Sequence, residues 1–228
     1  MTHPPGHEAP EWALMRRHFS DERLRLYLTE TGGDEAAAAH LYQWNSHCSA
    51  VFWEALGYVE VSLRNALDAR MTLRQRARGE TRHWVFDDAR QLGRDARGPG
   101  RHSHPYQDVA TAIRRVQANG KPLDPAQIIS ELPFGFWHQL VARRQMFLWP
   151  DLAAAFAHAP TRSPVPVRER LARMRDLRNR IGHHHRIWSL DLDARWDDLL
   201  TLTGWIDPEL RDWIETGTGV PAVLAARP

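Results

Sequence analysis

The chain has 228 residues, a length that can bury one sizeable hydrophobic core, so one domain with insertions is the simplest expectation. Its single cysteine, Cys48, excludes an internal disulfide and a zinc site made of cysteines. The opening MTHPPGHEAPEW has no apolar run that would serve as a secretory signal, and no window is apolar for the length of a membrane span. We therefore expect a cytoplasmic protein with no membrane partner.

The net charge of +2 is small, but nearly all of the basic residues are arginine. Of the 30 lysine and arginine residues only Lys121 is lysine, which leaves 29 arginines. A GC-rich genome favours arginine codons and explains most of this preference, whereas the functional explanation is phosphate binding by the planar guanidinium fork. The basic residues are densest in Arg94–His104 and Arg168–Arg186, which are the zones where a phosphate-binding function would be centred.

Short helices are predicted at the start of the chain. Residues 1–19 are expected to form an N-terminal extension that is loosely attached up to Pro10 and contains a helix over 11–19. Ser20 is the expected N-cap of the next helix, over 21–29.

The strongest helical pattern runs from Glu35 to about Arg78, with Asp34 as its expected N-cap. The segment has no proline, and its apolar residues recur at steps of three and four, which places them on one buried face. A break near Gly57 is compatible with this pattern. Cys48 falls on the apolar face and is expected to be a buried, inert thiol. The face consists of Leu41, Trp44, Cys48, Phe52, Leu56, Val59, Leu63 and Leu67.

Glycine and proline interrupt this pattern in residues 79–105, which we predict to be a basic loop insertion. Residues 81–90 are expected to be irregular or to form a short helix, and Gly93–His104 to form a mobile loop. His102 and His104 resemble a metal-ligand pair, although two histidines also fit a solvated loop that contacts RNA or has no role.

The rest of the chain predicts further helices and no strand pair, so the fold class is expected to be all-α. The aromatic residues of FGFW, residues 134–137, are expected to fill the core rather than to stack on bases. A helical domain is expected over 20–205, followed by a C-terminal helix and tail over 206–228. The predicted helices cover 106–119, 124–129, 136–149 after an interruption at 133–135, 152–157, 190–205 and 208–218, with a loop over 161–166 and a weakly held tail over 217–228.

The segment Arg168–Trp188, RERLARMRDLRNRIGHHHRIW, is predicted to be the helix around which the site is organised. Four apolar residues share one buried face, and arginines occupy the others. Gly182 weakens this helix just before three consecutive histidines. The apolar residues are Leu171, Met174, Leu177 and Ile181.

Arg178, Asn179 and His183 in this segment fit the chemistry of RNA cleavage. RNA carries its own nucleophile, the 2′-hydroxyl, beside the scissile phosphate. Histidine exchanges protons near neutral pH, and arginine binds phosphate oxygens in pairs while always charged. Asn179 could orient the histidine or the phosphate. On an ideal helix Arg178 and His183 lie about 140° apart. They can therefore act together only if Gly182 distorts the helix or if the cleft lies at the helix end.

Three ordered segments resemble a known family. Arg178-Asn179-Arg180-Ile181-Gly182-His183 resembles the Arg-Asn-x-x-x-His signature of HEPN-domain ribonucleases. LRDLRNRIGHHHRIW is similar to the end of the Abi-like (abortive infection, Abi_2) branch of that superfamily. SDERLRLYLTE, followed by LYQWN and LGYVEVSLRNAL, is similar to its front, and ISELPFGFWHQL to its middle. The likeness covers Ser20 to Trp188.

This resemblance implies a HEPN-like helical bundle with a long N-terminal helix, the basic loop insertion and extra C-terminal helices. It implies a cofactor-free, metal-independent endoribonuclease of phage abortive infection, or a toxin-like ribonuclease, that leaves 2′,3′-cyclic phosphate ends. The family typically acts as a two-fold homodimer, and an antitoxin or small RNA is a further expected partner. Arg178 would stabilise the phosphate and His183 would act as general acid or base. RNA-binding or supporting roles are expected for His184, Glu60, Arg64, Asn65 and Arg175.

Three alternatives stay open from the residues. The same scaffold could bind RNA or a protein without cutting, or the arginines could form a solvated face whose cations suit the end of a helix dipole. A metal-dependent hydrolase could use His102, His104 and His183–His185. Glu60 and Arg64, four residues apart, could form a surface ion pair of little energetic weight or could face the cleft.

Overall fold

A computed structural model describes residues 10–96 and 102–228 of the chain. In these residues all regular structure is helical, with eleven α-helices and three short 3-10 helices, which confirms the all-α expectation. The α-helices are α1 Pro10–His18, α2 Asp21–Glu30, α3 Glu35–Ala77, α4 Tyr106–Ala118, α5 Pro125–Ser130, α6 Phe134–Leu140, α7 Trp149–Leu152, α8 Pro164–Gly182, α9 Leu192–Ile206, α10 Pro208–Gly217 and α11 Val220–Ala225. The 3-10 helices are Trp84–Phe86, Arg143–Leu148 and Ala153–Ala155.

Helix α3 is the long axis of the molecule. Its 43 residues continue through Gly57 without a break, so it is about 65 Å long. Asp34 caps it, because the carboxylate accepts a hydrogen bond from the amide of Ala37 at 2.9 Å. Every apolar residue predicted for its inner face is buried. Helices α1, α2, α7, α8, α9 and α11 all pack against α3.

The two ends of the chain belong to the same core. Trp12 and Met15 of α1 are buried in it, as are Val220 and Val223 of α11. The indole Nε1 of Trp44 donates a hydrogen bond to the carbonyl of Val223 at 2.8 Å. The prediction of a weakly held tail over 217–228 is therefore wrong, because α11 closes one side of α3.

The segment after the buried FGFW aromatics departs from the prediction of one helix over 136–149. Pro133 is the N-cap of α6, which ends at Leu140, and Ala142 has an extended backbone with ψ 158°. This turn lets Leu148 and Leu152 reach the core, where both are fully buried. Tertiary packing thus overrides a continuous helical pattern here.

Helix α8 begins earlier and ends earlier than predicted. Its first turn includes Pro164, in a region predicted to be a loop, and the hydroxyl of Ser163 caps it by accepting from the amide of Val165 at 3.3 Å. Proline suits a first helical turn because the amide hydrogen it lacks would have no partner there. The helix ends at Gly182, so residues 183–188 are not helical.

The basic insertion is anchored at its start. One carboxylate oxygen of buried Asp87 accepts hydrogen bonds from the amides of Gln91 and Leu92 at 2.7 and 3.0 Å. Trp84 is buried in the 3-10 helix within 81–90, as the prediction of irregular or short helical structure allows. The predicted mobile loop Gly93–His104 lies partly outside the described residues, as does the predicted loose attachment of residues 1–9.

A buried asparagine fixes the chain where it leaves α8. The side-chain oxygen of Asn45 on α3 accepts hydrogen bonds from the amides of Ile187 and Trp188 at 2.8 and 3.1 Å. Two buried amide donors therefore depend on one side chain.

We expect Asn45→Ala to lower the free energy of unfolding by about 1–3 kcal/mol, because it leaves both amides without an acceptor. Urea unfolding followed by circular dichroism measures this loss. Asn65→Ala is the matched control, since Asn65 lies exposed on the same helix. Equal unfolding midpoints for the two variants would contradict this account of the Asn45 anchor.

Candidate functional site

Helix α8 packs against α9 along one edge and against α3 and α6 along the other. On the α9 edge, the guanidinium of Arg173 donates two hydrogen bonds of 2.6 Å to the buried carboxylate of Asp198. Arg170 lies 3.6 Å from the same carboxylate. These two arginines are held around a buried carboxylate, so the α9 edge is structural.

The opposite edge carries an arginine without such a partner. Arg178 is half-buried, and its guanidinium carbon lies 5.3 Å from the ring centre of Trp53 on α3. Its Nε is buried and finds no hydrogen-bond acceptor in the described part of the protein. Arg64 on α3 has a buried Nε in the same condition. Both side chains therefore keep a desolvated donor without an acceptor among the described residues.

The charges of both cations influence a nearby carboxylate. Glu60 is half-buried, and burial raises the pKa of its carboxyl while the charges of Arg178 and Arg64 act against that rise. It forms no ion pair within 4.0 Å with any described residue, so the Glu60–Arg64 ion pair considered from the sequence is not formed. Trp53, Glu60 and Arg64 follow one stripe of α3 at steps of seven and four. Together with Arg178 they lie along the line where α3 and α8 pack together, and we call this line of residues the α3–α8 groove.

The three histidines lie at the end of α8 and are all exposed. His183 closes the helix, with its amide donating to the carbonyl of Asn179 at 3.0 Å. Its ring centre is 5.8 Å from that of His185. His184 has a left-handed backbone with φ 54°, and its carbonyl accepts a hydrogen bond from Arg23 of α2 at 2.5 Å. The loop is thus held by its backbone, which leaves the imidazoles facing solvent.

No hydrogen bond joins the side chains of Arg178 and His183 within one chain. The helix is undistorted through Gly182, so the turn of about 140° between the two side chains is retained. The guanidinium nevertheless lies beside the helix end, since a methyl group added at Gly182 would be 3.9 Å from an Nη of Arg178 and 3.8 Å from Trp53. Asn179 and Asn65 are exposed, and Asn65 points about 100° around α3 from Arg64.

A histidine on α6 that the sequence did not single out approaches the same edge of α8. Nδ1 of half-buried His138 lies 3.3 Å from an Nη of Arg175. Burial lowers the pKa of His138 to about 4, and the charges of Arg175 and Arg168 add to the effect. At neutral pH the ring is uncharged, so it accepts from Arg175. The sequence did not indicate this contact, because His138 lies within the aromatic segment FGFWHQL, which was expected to fill the core.

A pocket of about 570 Å³ opens beside Trp53, between α2, α3 and the end of α8. The same indole therefore borders both the groove and the pocket. We call it the Trp53 pocket; residues that line it include Arg23, Tyr27, Tyr42, Trp53, Gly182 and His185.

Other sequence expectations have simple outcomes. Cys48 is fully buried, and burial raises its pKa to about 12, which confirms an inert thiol. In residues 10–96 and 102–228 no three histidine, cysteine or acidic side chains group around a common metal position. His104 only approaches Asp108, at 3.8 Å. No described helix combines the length and apolar character that crossing a membrane requires.

The lowered pKa of His138 makes stability depend on pH. In the unfolded chain this ring takes up a proton near pH 6.5, but in the folded chain only near pH 4. Between these values the unfolded state binds more protons, so the contribution of His138 destabilises the fold as pH falls.

We expect the melting temperature of wild type to fall more steeply from pH 6.5 to 4 than that of His138→Asn, which keeps an acceptor for Arg175. His158→Asn, at an exposed histidine, should keep the wild-type slope; a His138→Asn slope equal to it would refute this assignment.

Comparisons of the chain with protein-family models, curated proteins and solved structures find no match. What the protein does must therefore be inferred from the groove, the histidines and the sequence motifs.

Proposed function

We propose that the protein is a metal-independent endoribonuclease of the HEPN type in which Arg178 and His183 carry the reaction. The observation that supports this best is a half-buried guanidinium with an unpaired Nε, held beside the helix end at which His183 is exposed. In this reaction the 2′-hydroxyl attacks the adjacent phosphorus and the bond to the 5′-oxygen breaks. The products are a 2′,3′-cyclic phosphate and a 5′-hydroxyl.

Arg178 would stabilise the charge that develops on the non-bridging phosphate oxygens. Its Nε–H is buried and has no hydrogen-bond partner among the described residues, and the guanidinium lies over Trp53, so a shift of the side chain would let it bind an oxygen without first breaking a hydrogen bond at Nε. Arg64 offers a second buried donor in the same groove. Glu60 lies close enough to influence both cations and would restrain their side chains. Arg175, which is exposed and contacts neutral His138, would bind the strand farther along α8.

His183 would transfer the proton, since imidazole can accept or donate one near neutral pH. Asn179 lies four residues earlier on the same helical face, from which it can orient the ring or a phosphate oxygen. His184 would support the site through its exposed ring, because its backbone is fixed to Arg23.

A homodimer would supply the proximity that one chain lacks. Arg178 and His183 point to different sides of α8 in the single chain, so a two-fold pairing of the helix ends would place one copy's imidazole near the other copy's guanidinium. In this proposal the protein acts in the cytoplasm, in abortive infection or as a toxin restrained by an antitoxin. That setting comes from the family resemblance.

A non-catalytic RNA- or protein-binding module is the second candidate. The missing hydrogen bond between Arg178 and His183 favours it, because binding needs only the groove cations and no proton transfer. In this candidate function, binding of RNA would depend on the groove arginines and would not require His183.

We expect His183→Ala to reduce cleavage of RNA in EDTA by about 10²–10⁴-fold, because a general acid–base group is lost. Arg178→Ala should reduce it by about 10²–10³-fold through loss of charge stabilisation. Rates are measured on labelled single-stranded and structured RNA. His158→Ala, at an exposed histidine near α9 and α10, should cleave like wild type. Equal rates for wild type and His183→Ala would exclude the catalytic assignment.

Binding through the groove should weaken as salt is added, because arginine displaces counterions from phosphates. We expect Arg178→Ala and Arg64→Ala each to reduce the slope of log affinity against log salt by about 1. Fluorescence anisotropy with 2′-O-methyl RNA, which cannot be cleaved, separates this measurement from catalysis. Arg114→Ala on α4 is the control. Slopes that match the control would show that the groove does not hold phosphate.

A further inference from the structure

We infer that the Trp53 pocket receives an unpaired nucleobase of the RNA strand whose phosphate lies on Arg178. The ligand class rests on the proposed function, whereas the pocket itself is a feature of the fold. The inference adds a requirement that phosphate binding alone does not impose, namely a base that is free to leave the helical stack.

Aromatic rings form much of the pocket wall. Trp53 is 45% exposed, although it lies at the centre of the longest helix. Tyr42 stacks on Phe19 at 5.2 Å and contacts Tyr27 at 5.0 Å, so these side chains hold each other in place. A rigid aromatic wall with one solvent-exposed indole suits stacking of a planar base. The volume of about 570 Å³ exceeds what one base needs and leaves space for its ribose.

Polar groups around the rings can satisfy the edge of a base. The hydroxyls of Ser46 and Ser49 donate to carbonyls of their own helix at 3.1 and 2.7 Å, which leaves their lone pairs as acceptors. Arg23, His184 and His185 add side chains that can donate. A purely apolar cofactor would leave these groups without partners, whereas a base has both donors and acceptors on its edges.

The position of the pocket connects it to the groove. Arg178 lies against Trp53, and Gly182, which lines the pocket, borders both of them. A phosphate at Arg178 and a base in the pocket would therefore both lie next to the same indole, which suits neighbouring parts of one nucleotide strand. A base that is paired and stacked in a duplex cannot enter such a pocket without being extruded. The site should accordingly select single-stranded RNA or loops.

The test compares three 2′-O-methyl RNA probes of equal length with the full-length protein: a single strand, a strand without bases, and a duplex. None can be cleaved, so anisotropy reports binding only. The single strand should bind on the order of 10-fold more tightly than the strand without bases, as expected for loss of a base stack. The duplex should bind like the strand without bases.

Variants at Trp53 locate the effect. Trp53→Ala also removes the support of Arg178, but that loss weakens binding of every probe, so the ratio between probes isolates the base. We expect the ratio to fall to about 1 in Trp53→Ala and to be largely kept in Trp53→Phe, which retains an aromatic face. Trp213→Ala, at a 56% exposed tryptophan of α10, should keep the wild-type ratio.

Two results would overturn the inference: equal binding of both single-stranded probes by wild type, or a ratio that survives Trp53→Ala. If the protein cleaves RNA but binds it without base dependence, the inference about the pocket is wrong and the proposed ribonuclease activity stands. If binding depends on the base but no RNA is cleaved, the inference about the pocket stands and the proposed ribonuclease activity is excluded.

Discussion

The structure depends on the packing of the apolar stripe of α8 against the uninterrupted α3. Leu171, Met174 and Leu177 of that stripe are almost completely buried. Because α3 is a single helix of 43 residues, it presents a continuous surface to helices from both ends of the sequence. Burial of α8 on this surface determines which of its arginines face another helix and which face the groove.

This packing gives the arginines of α8 two different surroundings. Those on the α9 edge surround Asp198, which is only 5% exposed and receives two charge-assisted hydrogen bonds from Arg173. A carboxylate buried with several guanidinium groups fixes the position of α9. Arg178, on the other edge, lies against the indole of Trp53 and near the half-buried carboxyl of Glu60. It forms no close ion pair with any described residue. The same residue type on one helix is therefore structural on one side and available for binding on the other.

The regular part of the fold could be predicted from sequence because its determinants are local. The spacing of apolar residues along α3 depends on neighbouring residues alone, and so do the helix caps Ser20 and Asp34. The structure confirms both. The turn after Leu140, the early end of α8 and the packing of α11 depend on distant partners such as Asn45 and Trp44. A single sequence contains no pattern that pairs residue 45 with residue 187.

The same distinction applies to the site. Arg178 and His183 could be selected because they are close in sequence and belong to a motif. The family resemblance also selected Glu60 and Arg64, but it did not select Trp53, which lies more than a hundred residues before Arg178. His138 and the Trp53 pocket were not identified, because their residues lie on different helices and form no spaced motif.

The unpaired donors of the groove are the feature that most needs a functional explanation. A buried polar group without a partner costs about 1–3 kcal/mol, and Arg64 and Arg178 each have one. Arg170 and Arg195 also have a buried Nε without a hydrogen bond, but they lie 3.6 and 3.9 Å from Asp198 and so have an electrostatic partner. Within residues 10–96 and 102–228, the groove donors have no carboxylate that close. A fold that only needed stability would place an apolar side chain or a carboxylate there. An anion that binds and leaves would instead offset the cost only while bound, which is what a site for RNA phosphate requires.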